Sequence, residues 1–419
     1  MQARPSPRLQ DCRQCDRQDP LAPLRERFAL DRAEIYLNGN SLGPQPVAAA
    51  GRMRRAVEQE WGRDLGRSWT RAGWSDLPRR LGARIAPLIG AGPDEVVVAD
   101  STSVNLYKVL CAAAHRARQA GRLRILAEAG GFPSDLYIAR SVAEQHGMTL
   151  SFIDPRPLAA QMPADAGIVL LSHVDYRSGR LRDLAADTAA AHAGGALAVW
   201  DLAHSAGVVP VALKAAGADY AVGCSYKYLN GGPGAPAFVW AHPRHVGQDR
   251  QPLWGWRGHA DPYGYLPDYV PAADIGRYQA GMPPLLSMTA LACGLDIYEQ
   301  AEPLGGLAQL RRKSLALSGL FMACVDPHAQ ALGLTRLTPA EPAQRGAQLS
   351  YRVAQGGPAI VAALAGQGVL ADCRAPDVLR FAFAPLYLRH EDAWHAAQRL
   401  LQVLRGGLWR EPRFGAGAP

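Results

Sequence analysis

Six short apolar runs, most of them separated by stretches of helical periodicity, constrain this chain more than any other feature. Val96-Val97-Val98-Ala99, Leu123 to Ala127, Met148 to Ile153, Gly167 to Ser172, Ala196 to Trp200 and Tyr220 to Gly223 are, for the most part, apolar at successive rather than at alternate residues. A strand that is apolar on both sides is covered on both faces, and strands joined through helices run parallel. The expected fold class is α/β, a mainly parallel sheet sandwiched by helices. Ligands in such sheets sit beyond the carboxyl ends of the strands. That rule groups Ser172-His173, Asp201-Leu202-Ala203-His204 and Ser225-Tyr226-Lys227.

Lys227 stands out because lysine is scarce: of 45 basic residues only Lys108, Lys214, Lys227 and Lys313 are lysines. It follows a buried-strand pattern and precedes Asn230-Gly231-Gly232-Pro233-Gly234, a loop that admits a ligand close to the backbone. Arginine serves equally well for a solvated charge, but only a primary amine forms a Schiff base. An ordinary lysine at a strand end fits the same stretch. Asp201, also at a strand end, is the carboxylate that would keep a pyridine nitrogen protonated, so the pair matches the needs of pyridoxal phosphate chemistry. His204 follows three residues later, where a structural histidine is equally at home.

Asp100 to Leu106 reads as a hydroxyl-rich helix start. Thr102 and Ser103 suit a phosphate there, and the same residues suit plain helix capping. Gly130-Gly131-Phe132-Pro133-Ser134-Asp135 opens another helix with an aromatic ring that could lie over a planar ligand. Val47 to Ile89 has a helical pattern carrying Trp61, Trp69 and Trp74, and Leu285 through Leu320 reads as one long helical stretch. Beyond it, Gln348 to Val353 and Val378 to Phe383 as strands and Glu391 to Leu404 as a helix give a smaller α+β domain. The expected division is a flexible tail over 1–20, a large domain over 48–300, and a small domain from 21–47 and 301–419.

A net charge of +8 raises nucleic-acid binding, but the arginines are scattered through amphipathic segments without interleaved aromatics, as solvated helix faces are. A modest positive balance also suits an anionic cofactor and substrate. No run reaches the roughly 18 apolar residues of a membrane span and the N-terminus lacks an apolar signal core, so a cytoplasmic location is expected. The cysteines form no double pair of metal-ligand spacing; Cys12 and Cys15 stand as a lone C-x-x-C, and no metal is expected.

Leu37-Asn38-Gly39-Asn40-Ser41-Leu42-Gly43, Ser103-Val104-Asn105-Leu106, Phe132-Pro133-Ser134-Asp135, Asp201 through Gly207, Ser225 through Gly234 and Trp254-Gly255-Trp256 together resemble the kynureninase family, in order, over roughly residues 30 to 390. The resemblance implies the fold type I of pyridoxal phosphate-dependent transferases, akin to class V aminotransferases, and a homodimer. It implies hydrolysis of L-kynurenine to anthranilate and L-alanine, with the 3-hydroxy form as a further substrate that would give 3-hydroxyanthranilate and L-alanine. It makes Lys227 the Schiff-base lysine, Asp201 the pyridinium partner and Phe132 the stacking ring. Thr102, Ser103, Asp135, Ser172, His204, Tyr226 and Trp256 complete the cofactor shell, with Tyr226 also a proton donor. Arg380 would clamp the substrate carboxylate and Asn40 would contact the substrate. Met282 departs from the polar Asn or Thr common at its place.

The nearest rival is a cysteine desulfurase of the same fold, with Cys373 as nucleophile. Against it, Cys373 lies only a few residues before the Arg380 strand, and Tyr226 stands where desulfurases usually carry histidine. A non-catalytic cofactor-sensing or RNA-binding protein would need a basic domain or helix-turn-helix, and none is seen.

Overall fold

The structure, a computed structural model, describes residues 7–415, which divide into two compact units. The larger is formed by Ala49–Asp175 and Arg182–Leu295; the smaller takes the chain up to Ala48, the segment Tyr176–Leu181, and everything from Asp296 onward. The excursion of Tyr176–Leu181 into the smaller unit has no counterpart in a division by two boundaries alone.

The larger unit holds a seven-stranded sheet in the order Val96–Val98, Phe238–Ala241, Tyr220–Gly223, Leu197–Asp201, Ala166–Ser172, Arg124–Glu128, Thr149–Ile153. The last five strands of that order pair in parallel. Phe238–Ala241 runs antiparallel to both its neighbours. It is absent from the six runs because it returns directly from the Gly/Pro loop, without a crossover helix to announce it. Helices Thr102–Gln119 and Pro133–Gln145 bury Leu106, Val109, Leu110, Ala139 and Val142 against Val97, Ile125, Ile168, Val199 and Val222 of the strands. The second helix begins with Pro133, whose missing N–H costs nothing at a first helical position. It is followed by Gly147 at φ 61°, a left-handed turn that stops it.

The smaller unit contains an antiparallel sheet in the order Asp372–Arg374, Val378–Ala382, Gln348–Val353, Leu334–Arg336. Helices Gly306–Ala329 and His390–Arg405 pack together in the same unit. A separate pairing joins Ile35–Tyr36 in parallel to Val369–Leu370.

Three expectations are corrected. Residues 9–17 form a helix, not a flexible tail: Cys12 is buried, Asp16 accepts from the amides of His390 and Glu391 at 2.6 and 3.0 Å, and Asp19 pairs with buried Lys313 at 2.7 Å. The segment is tied down by charges rather than by an apolar stripe, which is why periodicity does not reveal it. The part of that expectation on residues 1–6 lies outside the described residues. The Val47–Ile89 pattern is broken into short pieces, including a π-helical turn at Ala56–Trp61. The Leu285–Leu320 stretch is two helices, Leu285–Ala301 and Gly306–Ala329, parted at Gly305, whose φ is 103°, with Gly306 opening the second at φ 53°.

Candidate active site

Parallel register sets Ser172 directly beside Asp201, each the last residue of its strand. Asp201 is buried, and its Oδ1 accepts from the Ala203 amide at 2.8 Å. Burial pushes its carboxyl pKa up; the Lys227 charge, the Ala203 amide and the Ser172 hydroxyl pull it back. The next strand, Tyr220–Gly223, pairs Val222 with Asp201, and the chain then turns to bring in Lys227. The Lys227 amine is buried, 3.3 Å from Nε2 of His204 and within 6 Å of the ring centres of Phe132 (5.9 Å) and Tyr226 (5.7 Å). Asp135, in the first turn of the Pro133 helix, completes the group. Burial raises its pKa well above the ordinary value, the nearby Asp201 charge raises it further, and Lys227 opposes both. Its Oδ2 has no hydrogen-bond partner among the described residues.

The loop after Lys227 is built for close approach. Asn230, Gly232 and Gly234 have φ values of 56°, 83° and 73°. A Cβ on Gly231 would lie 2.9 Å from both the Ser225 carbonyl and the Ala235 methyl, tighter than real contacts allow. Asn230 tolerates its left-handed backbone while its side chain donates to the Tyr228 carbonyl at 2.7 Å.

Thr102 and Ser103 occupy the first turn of helix Thr102–Gln119, half-buried, where backbone N–H groups have no intrahelical acceptor. Ser101 caps that helix by accepting from the Val104 amide at 3.3 Å. Trp256 sits edge-on to Trp69 and near Tyr263 and Tyr265, at centroid distances of 6.5, 5.9 and 6.4 Å. Met282 is 66% exposed.

The two candidates of the smaller unit are held within it. Arg380, fully enclosed on the Val378–Ala382 strand, pairs with Asp372 across the sheet and donates to the Tyr176 carbonyl at 2.7 Å. Asn40 is buried and donates to Gln348 Oε1 at 2.7 Å, and its own Oδ1 has no partner among the described residues. Cys373 lies in the strand Asp372–Arg374, with its thiol pushed up to about 11 by burial and by the neighbouring Asp372 and Asp377 charges.

Sequence reasoning thus brings Lys227, Asp201, His204, Phe132, Tyr226, Asp135 and Ser172 to one place. It missed Asp372 and Tyr176, the partners of Arg380; an acid eight residues ahead of an arginine is a signal only once the two strands are known to pair. It also passed over Lys108, legible as a lysine inside the apolar run of its helix. Among the described residues no group of three or more His, Cys, Asp or Glu could hold a metal ion, and no helix is long and apolar enough to cross a membrane.

The aminotransferase class-V model matches residues 77–326, and the kynureninase C-terminal domain model matches residues 310–400. Kynureninase of Pseudomonas fluorescens is 48% identical over 409 residues, 96% of this chain and 97% of that protein. Kynureninase of Burkholderia mallei (strain SAVP1) is 46% identical over 408 residues, with the same coverage of both. Among solved structures, the apo cysteine desulfurase from Thermococcus onnurineus NA1 superposes with a TM-score of 0.76 at 20% identity, covering 92% of this chain and 98% of that one. A C-DES mutant with glycine covalently linked to its PLP cofactor gives 0.76 at 18%, covering 90% and 98%. At such identities these structures share the fold alone.

Proposed function

The chain belongs to the kynureninase family, on a class-V aminotransferase fold that works with pyridoxal phosphate, and from that membership we infer that it hydrolyses L-kynurenine to anthranilate and L-alanine, a step of tryptophan catabolism. The observation that carries the reading is the burial of the Lys227 amine among Asp201, His204 and the Phe132 ring. The residues fit the cofactor: an amine, a buried acid, an aromatic face, a hydroxyl-rich helix start, and a buried Asp135 oxygen with no hydrogen-bond partner among the described residues, which leaves an acceptor for a ligand's donor.

Pyridoxal phosphate, when bound, supplies the electron sink that lets an amino acid lose its Cα proton and break its Cβ–Cγ bond. In the proposed roles, Lys227 holds the cofactor and takes the Cα proton at Nζ. Asp201 holds a proton on the ring nitrogen, and Phe132 covers the ring. Thr102, Ser103, Tyr226 and Trp256 take the phosphate; Asp135, Ser172 and His204 orient the rest of the shell, with Met282 an apolar neighbour. Arg380 receives the substrate carboxylate and Asn40 a further polar group of the substrate. Tyr226, next to Lys227, is placed to return a proton. In the balance one water is consumed: its oxygen ends in the carboxylate of anthranilate, and a proton ends on the Cβ of alanine.

We place the active form in the cytoplasm as a homodimer. The exposed Trp254 and Tyr265, 65% and 75% accessible on one loop region, support a self-association surface. 3-Hydroxykynurenine is the second substrate to try. The desulfurase alternative is disfavoured because a nucleophilic cysteine works as a thiolate, whereas the Cys373 thiol is pushed up to about 11. Parallel assays with L-kynurenine and L-cysteine separate the two: anthranilate without sulfide supports this reading, and sulfide release from cysteine without anthranilate overturns it.

A further inference from the structure

We propose that Lys108 is a positioning residue for the cofactor phosphate, clamping the segment that carries Thr102 and Ser103 to the segment that supports Trp256. The proposal rests on the pyridoxal phosphate reading of the site and adds a residue outside the cofactor shell.

Lys108 is fully enclosed in the second turn of helix Thr102–Gln119. An ammonium has three donors, and the structure supplies three acceptors: the Asp100 carboxylate, the Tyr278 carbonyl at 2.5 Å and Asn105 Oδ1 at 3.3 Å. Burial pulls its pKa below that of an ordinary lysine, and the Asp100 charge pulls it back. Asp100 is a non-glycine residue in the left-handed region, at φ 47°, immediately before the cap of the hydroxyl-rich helix. The same turn is held by the Ala237 amide on the Asp100 carbonyl at 2.8 Å and by Asn105 Nδ2 on the Ala99 carbonyl at 2.7 Å. On the other side, Tyr278 begins the segment whose Ala280 carbonyl accepts from the Arg257 amide at 3.1 Å, next to Trp256. Gly255 lies so close to Ala280 that a Cβ there would come within 2.6 Å of its carbonyl carbon. One buried ammonium therefore bridges the two backbones assigned to the phosphate. An apolar side chain would fill this space without the cost of burying a charge, so the amine has work that packing does not explain.

The test titrates the full chain, stripped of cofactor, with pyridoxal 5′-phosphate and separately with pyridoxal, which lacks the phosphate. In Lys108→Met we expect affinity for the phosphorylated form to fall about tenfold or more, with pyridoxal affinity changed by less than about twofold. General loosening of the fold would weaken both alike and leave their ratio intact, which overturns the proposal. Lys108→Gln keeps a donor for the Tyr278 carbonyl and is read in the same way where the methionine variant does not fold. An unchanged ratio in the variants, with a wild type that prefers the phosphorylated form, overturns this inference alone. A wild type that does not distinguish the two overturns the reading of the site and this inference with it.

Discussion

The amine of Lys227 lies 3.3 Å from Nε2 of His204, although 23 residues separate them in sequence. Adjacent parallel strands end at Asp201 and Gly223 and deliver both residues to the carboxyl end of the sheet. The distance ties the proposed base to a neighbour that can share a proton with it, and makes Lys227 the first residue to test. Lys227→Ala should keep the far-ultraviolet circular dichroism of the wild type and lose kynurenine turnover by at least about a thousandfold. Wild-type turnover in that variant would remove the lysine from the chemistry.

Asp201→Asn should fold and bind the cofactor but slow exchange of the substrate Cα proton with deuterated solvent by roughly a hundredfold or more, because a neutral amide lacks the carboxylate charge that would keep the ring nitrogen protonated. Near-normal exchange, followed by NMR, would contradict the role.

The sheet that delivers these groups was legible because its inner strands are apolar on both faces and its site residues fall at consecutive strand ends. The strand Phe238–Ala241, as apolar as the other runs but reached through a loop rather than a helix, was passed over, and the Tyr176–Leu181 excursion depends on where the chain returns rather than on local pattern. Asp16 and Asp19 hold the N-terminal helix by polar contacts with residues hundreds of positions away, and periodicity carries no trace of such pairs. The role of Arg380 came from the family resemblance, and its enclosure by Asp372 and Tyr176 appears only with the strand register.

That enclosure sharpens the prediction for Arg380. Arg380→Ala removes the fork that matches a carboxylate, and should cost on the order of 3–5 kcal/mol, roughly two to four decades in kcat/KM. Arg380→Lys should retain more activity than Arg380→Ala. The decarboxylated analogue of kynurenine is the control: equal losses on both substrates would show that the arginine does not read the carboxylate.

Cys373→Ser should leave kynurenine cleavage within a few-fold, since a thiol pushed up to about 11 is not a thiolate at neutral pH. A near-complete loss, measured by anthranilate fluorescence, would revive the desulfurase reading.

Asp219 gives the pH prediction. It accepts from Arg244 and the Ala198 amide and pairs with His192 and His245, at 2.6 to 2.8 Å. These partners hold its carboxyl well below the usual range despite burial. Its folded pKa therefore lies below the unfolded value of about 3.9. The stability it contributes is present above that pH and is lost as pH falls toward the folded value. Asp219→Asn should destabilise the protein by about 3–5 kcal/mol at pH 7 and flatten the acid limb of stability against pH. Urea melts between pH 3 and pH 7, a range spanning about one unit below the unfolded pKa upward, check both; an unchanged acid limb would refute the assignment.

Carbon–carbon hydrolysis is read straight from the product ratio that the purified protein and pyridoxal phosphate give with L-kynurenine. Anthranilate and alanine should rise together in equal amounts, and neither should form with Lys227→Ala. Anthranilate without alanine, or no cleavage by a wild type that binds the cofactor, would rule out hydrolysis of this bond by the protein.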